Sequence, residues 1–331
     1  MTRQYLREAK LLVGPDGGEG LDLSDLRFTF DVRRGDSETP NSARIRVFNL
    51  SKDTANRIAD EYLRVILYAG YHGTSGVIFD GQLIQARQGR YSQTDTTLDL
   101  TCADGDRAYN FSFVNQTLAA GATDADVVAA ALRSMGEFGV RGGYIPEITG
   151  NAYPRGRVLM GQTREILRCT ARDLDMNWSI QDGALTLLPR TSFLPGEIQV
   201  VTSRTGMIGL PTQMQNYILV NMLLNPRVRI GSVIELENDS IQRFEFGLGI
   251  RDQPQNRFNA NSNRLNNASG KYGYYRVMVA EHSGDTRGED WTTHVICIAV
   301  DAVAARDLLG KSTPNFIAPP PGKINPVNPY G

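Results

Sequence analysis

Residues 79–102 read FDGQLIQARQGRYSQTDTTLDLTC, and residues 275–298 read YRVMVAEHSGDTRGEDWTTHVICI; the two stretches run parallel at a constant offset of 196, without a gap. Phe79 stands against Tyr275, Leu83 against Val279, Thr96-Thr97 against Thr292-Thr293, and Leu100 against Ile296. Ahead of each lies another short strand signal, Arg64-Val65-Ile66-Leu67 and Ser232-Val233-Ile234-Glu235. The offset there is 168, so the second copy holds about 28 extra residues between its strands. A β-unit that occurs twice offers two like surfaces from one chain.

Working outward, the N-terminal part reads as strands. Leu26–Val32 alternates, with Leu26, Phe28, Phe30 and Val32 on one face. Ala43–Leu50 alternates again, Ile45 and Val47 against Arg44 and Arg46. Ser51 offers an N-cap for a short helix through Leu63, with Ala55, Ile58, Ala59 and Tyr62 as its apolar stripe. Tyr91-Ser-Gln-Thr-Asp95 is a polar turn. The middle changes character. Thr123 and Asp126 are spaced as a capping box before Val127, Val128, Ala131, Leu132 and Met135, and Gly136 is a stop. A second helix is expected over about Thr163–Leu174, then a hairpin about Asp182-Gly183. Strands return after Pro189.

The fold expected is therefore mainly β with an α+β insert. Residues 1–115 form a first β-domain, 116–190 a small α+β insert, 191–312 a second β-domain, and 313–331 a Pro-rich extended C-terminal tail. Residues 255–267 hold six asparagines, an exposed loop by composition. Residues 313–331 hold six prolines and are expected to be extended, neither helix nor interior strand.

A length of 331 residues suits two or three domains, and 41% apolar content is ample for packed cores. The formal net charge of −1 supplies no general pull toward nucleic acid or anionic membrane. Cys102, Cys169 and Cys297 are odd in number and far apart, which fits buried reduced thiols rather than a disulfide framework. Met1–Glu8 lacks the apolar core of a signal peptide, and no apolar run approaches the roughly 20 residues of a membrane span, so no stable membrane anchor is expected.

The search for chemistry finds no catalytic constellation. Gly310-Lys311-Ser312 resembles the end of a phosphate loop, but Ala305 replaces the required glycine and Pro314 follows where a helix should begin. His72, His282 and His294 lack the spacing of a metal clamp; His282 and His294 meet at most across a hairpin. Asp104/Asp106 reads as a turn and Asp173/Asp175 as a helix end, not as paired carboxylates in a cleft. No Gly-x-Ser-x-Gly occurs, and no Cys stands beside a His in a nucleophile pattern. Arg33-Arg34, Arg44 and Arg46 line a strand without the interleaved aromatics of a single-strand binder. The most distinctive local string is Gly284–Trp291. Gly284 and Gly288 suit a tight hairpin, Asp285 caps the turn, Arg287 pairs with Asp285 or Glu289, and Trp291 anchors the strand. No cofactor or metal is expected.

The strings Asn41–Ser51, Tyr68-Ala-Gly-Tyr71 and Ile78-Phe-Asp-Gly81 resemble the first β-domain of bacteriophage tail (baseplate) hub proteins. Thr205–Pro211 and Leu223-Leu-Asn-Pro226 with Gly231 are similar to the linker and start of the second, and Val277–Trp291 to its closing hairpin. The resemblance spans about 26–301 and omits the tail; no lysozyme-like or peptidase module is matched. It implies two tube-like β-barrels per chain and a homotrimeric, pseudo-sixfold ring. Such a ring joins the sixfold tail tube, or a distal tail ring protein, to a threefold spike or tip, with the tape measure protein or passing DNA in its channel. The implied location is the virion tail baseplate, after synthesis in the host bacterial cytoplasm. A phage-tail-like bacteriocin or other injection machine is an alternative home, and a tail-tip cell-wall hydrolase or a carbohydrate-binding β-module an alternative role. For the tail the expectation is an arm that docks on a neighbouring tail protein through Phe316 and Tyr330, or plain disorder.

Overall fold

A computed structural model describes residues 6–15, 18–214, 217–237, 241, 272–300 and 325–327. The first β-unit comprises β1 (Arg7–Gly14), β2 (Glu19–Asp22), β3 (Phe28–Gly35), β4 (Ser42–Phe48), α1 (Lys52–Glu61), β5 (Arg64–Tyr71), β6 (Gly76–Arg90) and β7 (Thr96–Ala103). The middle comprises α2 (Asp106–Phe111), β8 (Phe113–Leu118), α3 (Asp124–Gly136), β9 (Arg141–Gly142), β10 (Arg157–Gln162), α4 (Thr163–Asp173), β11 (Met176–Gln181) and β12 (Ala184–Pro189). The second β-unit comprises β13 (Gln199–Val201), β14 (Thr212–Gln213), β15 (Ile218–Leu223), β16 (Val233–Glu237), β17 (Tyr272–Asp285) and β18 (Trp291–Ala299). β19 (Asn325–Val327) pairs in parallel with β2 at the sheet's outer edge, so this piece of the Pro-rich tail is extended. The Asn-rich stretch 255–267, Gly310–Ser312, and the docking candidates Phe316 and Tyr330 lie outside the described residues.

The duplication read from the strings is a duplication of topology. In the first unit the strands lie side by side in the order β3-β4-β7-β6-β5-β1. In the second they lie in the order β14-β15-β18-β17-β16-β13, the same six places filled in the same chain order. Two departures mark the copies. β1 runs antiparallel to β5, whereas β13 runs parallel to β16. The ungapped offset also fails across the hairpin: it carries Gln88 to Gly284 and Leu98 to His294. Gln88 faces Leu98, but Gly284 faces Trp291, so the registers differ by three residues. The physical reason is local. Each first strand carries a β-bulge, between Leu83 and Gln85 in one and Val277 and Val279 in the other, and the connecting turns are built differently.

The two units join edge to edge. β17 gives one edge to β18; along its other edge β16 covers Tyr272–Arg276 and β3 covers Val279–Asp285. One continuous sheet results, but among the described residues its path is open from β14 to β19. The tube-like barrels implied by the resemblance are therefore not closed within this chain. Closing a ladder requires a hydrogen-bonding partner for each outer strand, and among the described residues β14 has none beyond β15.

Cores follow from the strand alternation. Phe28, Phe30, Val32, Ile45, Val47, Leu98 and Leu100 are buried together, and Ala55 and Ile58 of α1 with Tyr62 at its C-cap close that cluster; Ala59, the fourth residue of the expected stripe, is exposed. α1 starts at Lys52 with the Ser51 hydroxyl accepting the Thr54 amide. The second unit has its own cluster around Val220, Ile234, Val277 and Val295. In the middle, α3 opens on the expected Thr123/Asp126 capping box and ends at Gly136. Asp182 and Gly183 turn the β11–β12 hairpin with φ of 53° and 72°, the left-handed pair that a two-residue turn of this hand requires. β8 and β10 form a separate two-stranded ribbon. Val114, Leu118 and Leu159 are buried on its inner face, while Phe113, Val158 and Met160 are exposed on the outer one. Trp178 and Trp291 are both buried. Cys102 and Cys297 are buried, but Cys169 is exposed, because it falls on the solvent side of α4.

Candidate functional site

Three arrangements stand out: the hairpin at Gly284–Trp291, a buried polar joint against the insert, and two sheet edges without a strand partner. Trp291, which leaves the turn, sits in the first unit's core with Gly284 packed against the same Phe30, while Arg287, Glu289 and Asp290 of the turn are exposed. Trp291 packs edge-on against Phe30 at 5.4 Å between ring centroids, and its indole Nε1–H donates to the Gly70 carbonyl at 3.2 Å. Gly284 has no room for a side chain: a Cβ there would lie 2.5 Å from the Phe30 ring and 2.7 Å from Trp291. Asp285 accepts the Arg287 amide at 2.9 Å, and the Arg27 guanidinium at 2.7 Å holds its carboxyl below the usual carboxylate range. Arg287 does not use its side chain on Asp285 or Glu289. It reaches the Asp25 carbonyl at 3.3 Å, because Arg27 already occupies Asp285. Arg7 donates to the Gly288 and Glu289 carbonyls, which ties β1 to the hairpin.

The polar joint was not legible in the strings. Arg33, Arg34, Arg44 and Arg46 do not share a face: Arg33, Arg44 and Arg46 point outward, while Arg34 turns inward and is 4% exposed. Its guanidinium donates to Asp182 at 2.8 Å on the insert's hairpin turn. Asn41 donates to the Ile180 carbonyl, and Gln181 donates to the Gly35 carbonyl at 2.8 Å. Asp104 is buried and accepts the amides of Asp182 and Gly183 at 2.6 and 2.9 Å. Burial, with the Asp182 charge beside it, pushes its carboxyl up to about 7, against the pull of Arg34. Asp106, its partner in the sequence pair, instead opens α2 and accepts from Asn110, so the two carboxylates do not converge. On the second unit's side, Arg276 is 1% exposed, meets Asp36 at 2.5 Å and donates to the carbonyls of Pro189, Arg190 and Ser192. Desolvation of such charges is offset only when their hydrogen bonds are met. These contacts fasten first unit, insert and second unit together.

The histidines are spread out. His282 is buried against Thr293 at 2.8 Å, and burial, reinforced by the Arg34 charge, lowers its pKa to about 3. His294 lies opposite Glu281, not His282, and contacts Asn221 at 2.7 Å; His72 contacts Glu8. Among the described residues no group of three or more His, Cys, Asp or Glu is placed to hold a metal. A cleft of about 780 Å³ beside the joint is lined by Arg64, Asp80, Asp104, Arg107, Arg141 and Asp182, with the Arg64–Asp80 pair closed at 2.8 Å.

The sheet edges are the remaining feature. β5 covers β6 only as far as Gln82, with one further bond from the Leu83 amide to Leu63. From Ile84 to Arg90 that side of β6 has no strand partner among the described residues, and Ile84 is exposed. At the other end of the sheet the outer side of β14 is open, with Ile208, Leu210 and Tyr217 exposed around it.

No described protein family matches the chain, and no curated protein does. Solved structures do. A tail protein from Neisseria meningitidis aligns with a TM-score of 0.55 at 10% identity, over 92% of this chain and 99% of that one. A 43 kDa tail protein of prophage MuSo2 from Shewanella oneidensis aligns at 0.52 and 8% identity, over 87% and 97%. An E. coli component of the type VI secretion system, described as structurally similar to the T4 bacteriophage tail proteins gp27 and gp5, aligns at 0.51 and 9% identity, over 83% and 74%. The chain has the fold of phage tail proteins through almost its whole length, as the resemblance in the strings implied. Among the described residues no helix is long and apolar enough to cross a membrane.

Proposed function

We propose that this chain is the structural hub of a phage tail baseplate, with no catalysis of its own. Three copies form a ring of six like β-units, which joins the sixfold tail tube to a threefold spike or tip and surrounds the ejection channel. The observation that carries this reading is the pair of β-units with one strand order, joined head to tail through β17 and β3. A head-to-tail contact uses two different surfaces, so each unit retains one for the next, and such contacts close into rings when the rotation allows. The partners proposed are the tail tube or a distal tail ring protein, the spike or tip protein, and the tape measure protein, with DNA only in passage. The tube-like barrels would be completed by neighbouring units rather than within one chain.

Native mass and negative-stain images of the purified chain test this reading. Three copies in a ring are expected; a strict monomer at micromolar concentration, with no ring in assembled particles, overturns it. The fold shared with a type VI secretion component supports a second home in a related injection machine. A tail-tip cell-wall hydrolase would be revealed by clearing of peptidoglycan on a zymogram that a single acidic substitution abolishes.

A further inference from the structure

We infer that the ring closes by strand addition: the uncovered half of β6, Ile84–Arg90, takes the β14 edge of a second copy of this chain as its neighbour. The inference rests on the hub reading and specifies its junction. Within the chain the junction between units is already built once. There β17 is covered by β16 on its first half and by β3 on its second. β6 fills the same place in the first unit and is covered by β5 on its first half alone. β14 fills the place of β3 in the second unit and has no partner on its outer side among the described residues. The two unpaired edges are therefore the two halves of the contact that β17 and β3 make.

Exposure follows the same logic. Counted through the β15–β18 and β4–β7 ladders with the two bulges superposed, Thr212 stands where Asp31 stands and Gln213 where Val32 stands. Val32 is buried, whereas Gln213 is half-buried and Leu210 nearby is 61% exposed. By the same register Ala86 stands where Ala280 stands; Ala280 is buried and Ala86 only half-buried. Positions that the internal junction covers are thus more open at the external one. An edge of unpaired amides and carbonyls flanked by apolar side chains is a template for a further strand. Pro211, which lacks an amide hydrogen, and the left-handed Gly209 confine regular pairing to a short run near Thr212, which limits unwanted addition by other chains.

Cysteine pairs test the junction in the full chain, in a Cys169→Ser background because Cys169 is the exposed thiol among the described cysteines. Gln213→Cys is combined in turn with Ala86→Cys, Gln88→Cys and Arg90→Cys, which share one face of β6; Gln88 is the expected partner, because Val32 lies opposite His282 and His282 holds the place of Gln88. Mild oxidation of the assembled protein is expected to give dimer and closed trimer bands on a non-reducing gel for at least one pair, and none for the single variants. Amide exchange provides a second readout on the unmutated chain: 84–90 and 207–214 are expected to slow at least about tenfold on assembly. A trimer with no cross-link from any pair and no protection at either edge overturns the junction and leaves the hub reading intact. A chain that never assembles overturns the hub reading, and the junction falls with it.

Discussion

The two hairpins β6–β7 and β17–β18 occupy the same place in two like units, yet their tips meet different surroundings. The first ends in Tyr91–Asp95, a solvent turn in which Asp95 holds Ser92 and Asn49. The second ends in Gly284–Trp291, and Trp291, which the ladder matches to the exposed Thr96, is buried in the core of the other unit beside Phe30. Leu224, also from the second unit, joins that core. The difference teaches that a repeated element acquires its chemistry from its neighbour. Where a second unit abuts the hairpin, the residue that leaves the turn is a buried tryptophan; where none does within the chain, it is an exposed threonine.

The largest expected break of the comparison is Trp291→Ala. Removing a buried Trp costs about 3–5 kcal/mol, read from urea midpoints. Thr96→Ala, at the place in the first hairpin that the ladder matches to Trp291, is expected to leave the midpoint nearly unchanged. Equal losses would show that the two tips are energetically alike and that the burial of Trp291 does not matter.

Asp36→Ala comes next. It leaves the Arg276 guanidinium buried with carbonyl partners alone, at a cost of about 3 kcal/mol. Asp31→Ala, on the outward face of β3 just before Asp36, is the control and is expected to stay near wild type.

The third way to separate the copies is pH. The ladder matches buried His282 to the exposed Gln88, so this sensitivity belongs to the second hairpin. Its folded pKa of about 3 lies below the ordinary 6.5. Between those values the unfolded chain binds a proton that the folded chain does not, so stability falls as pH drops below 6.5. The loss is about 2 kcal/mol by pH 5. Asp104, raised to about 7, works in the opposite sense: between the ordinary 3.8 and 7 the folded chain binds the extra proton, which favours folding as pH falls. His282→Gln should therefore flatten, or even reverse, the acid limb of the stability profile; an unchanged limb would show that His282 is not its source.

The smallest effect sharpens the comparison from the other side. α1 belongs to the first unit; the segment Asn225–Ser232, which joins β15 to β16 in the second, is turn and coil. Ser51→Ala removes its N-cap and should cost about 1 kcal/mol. Thermal melting checks it, and no shift would mean that packing of Ile58 and Tyr62 alone holds the helix.

Much of the local structure was legible in residue patterns. Alternation located β3, β4 and the repeated hairpin, Ser51 and Thr123 marked helix starts, and Asp182-Gly183 marked a turn, because each of these signals acts over a few residues. The joint was not legible, since Arg34 and Arg276 look like any strand arginine until residues far away in the chain surround them. Arg33 and Arg34 illustrate the difference: adjacent, identical in type, and sent to opposite faces by the pleat.

The strings by themselves determined that two like β-units flank an α+β insert, because side-chain period and capping chemistry are written locally. Only the tertiary structure decided that the units share one strand order, that β17 adds to β3, that Trp291 serves the other unit's core, and that the ladder stays open at β6 and β14. Those outcomes depend on hydrogen-bond pairing and burial between residues hundreds of positions apart, and no local pattern specifies which edge meets which.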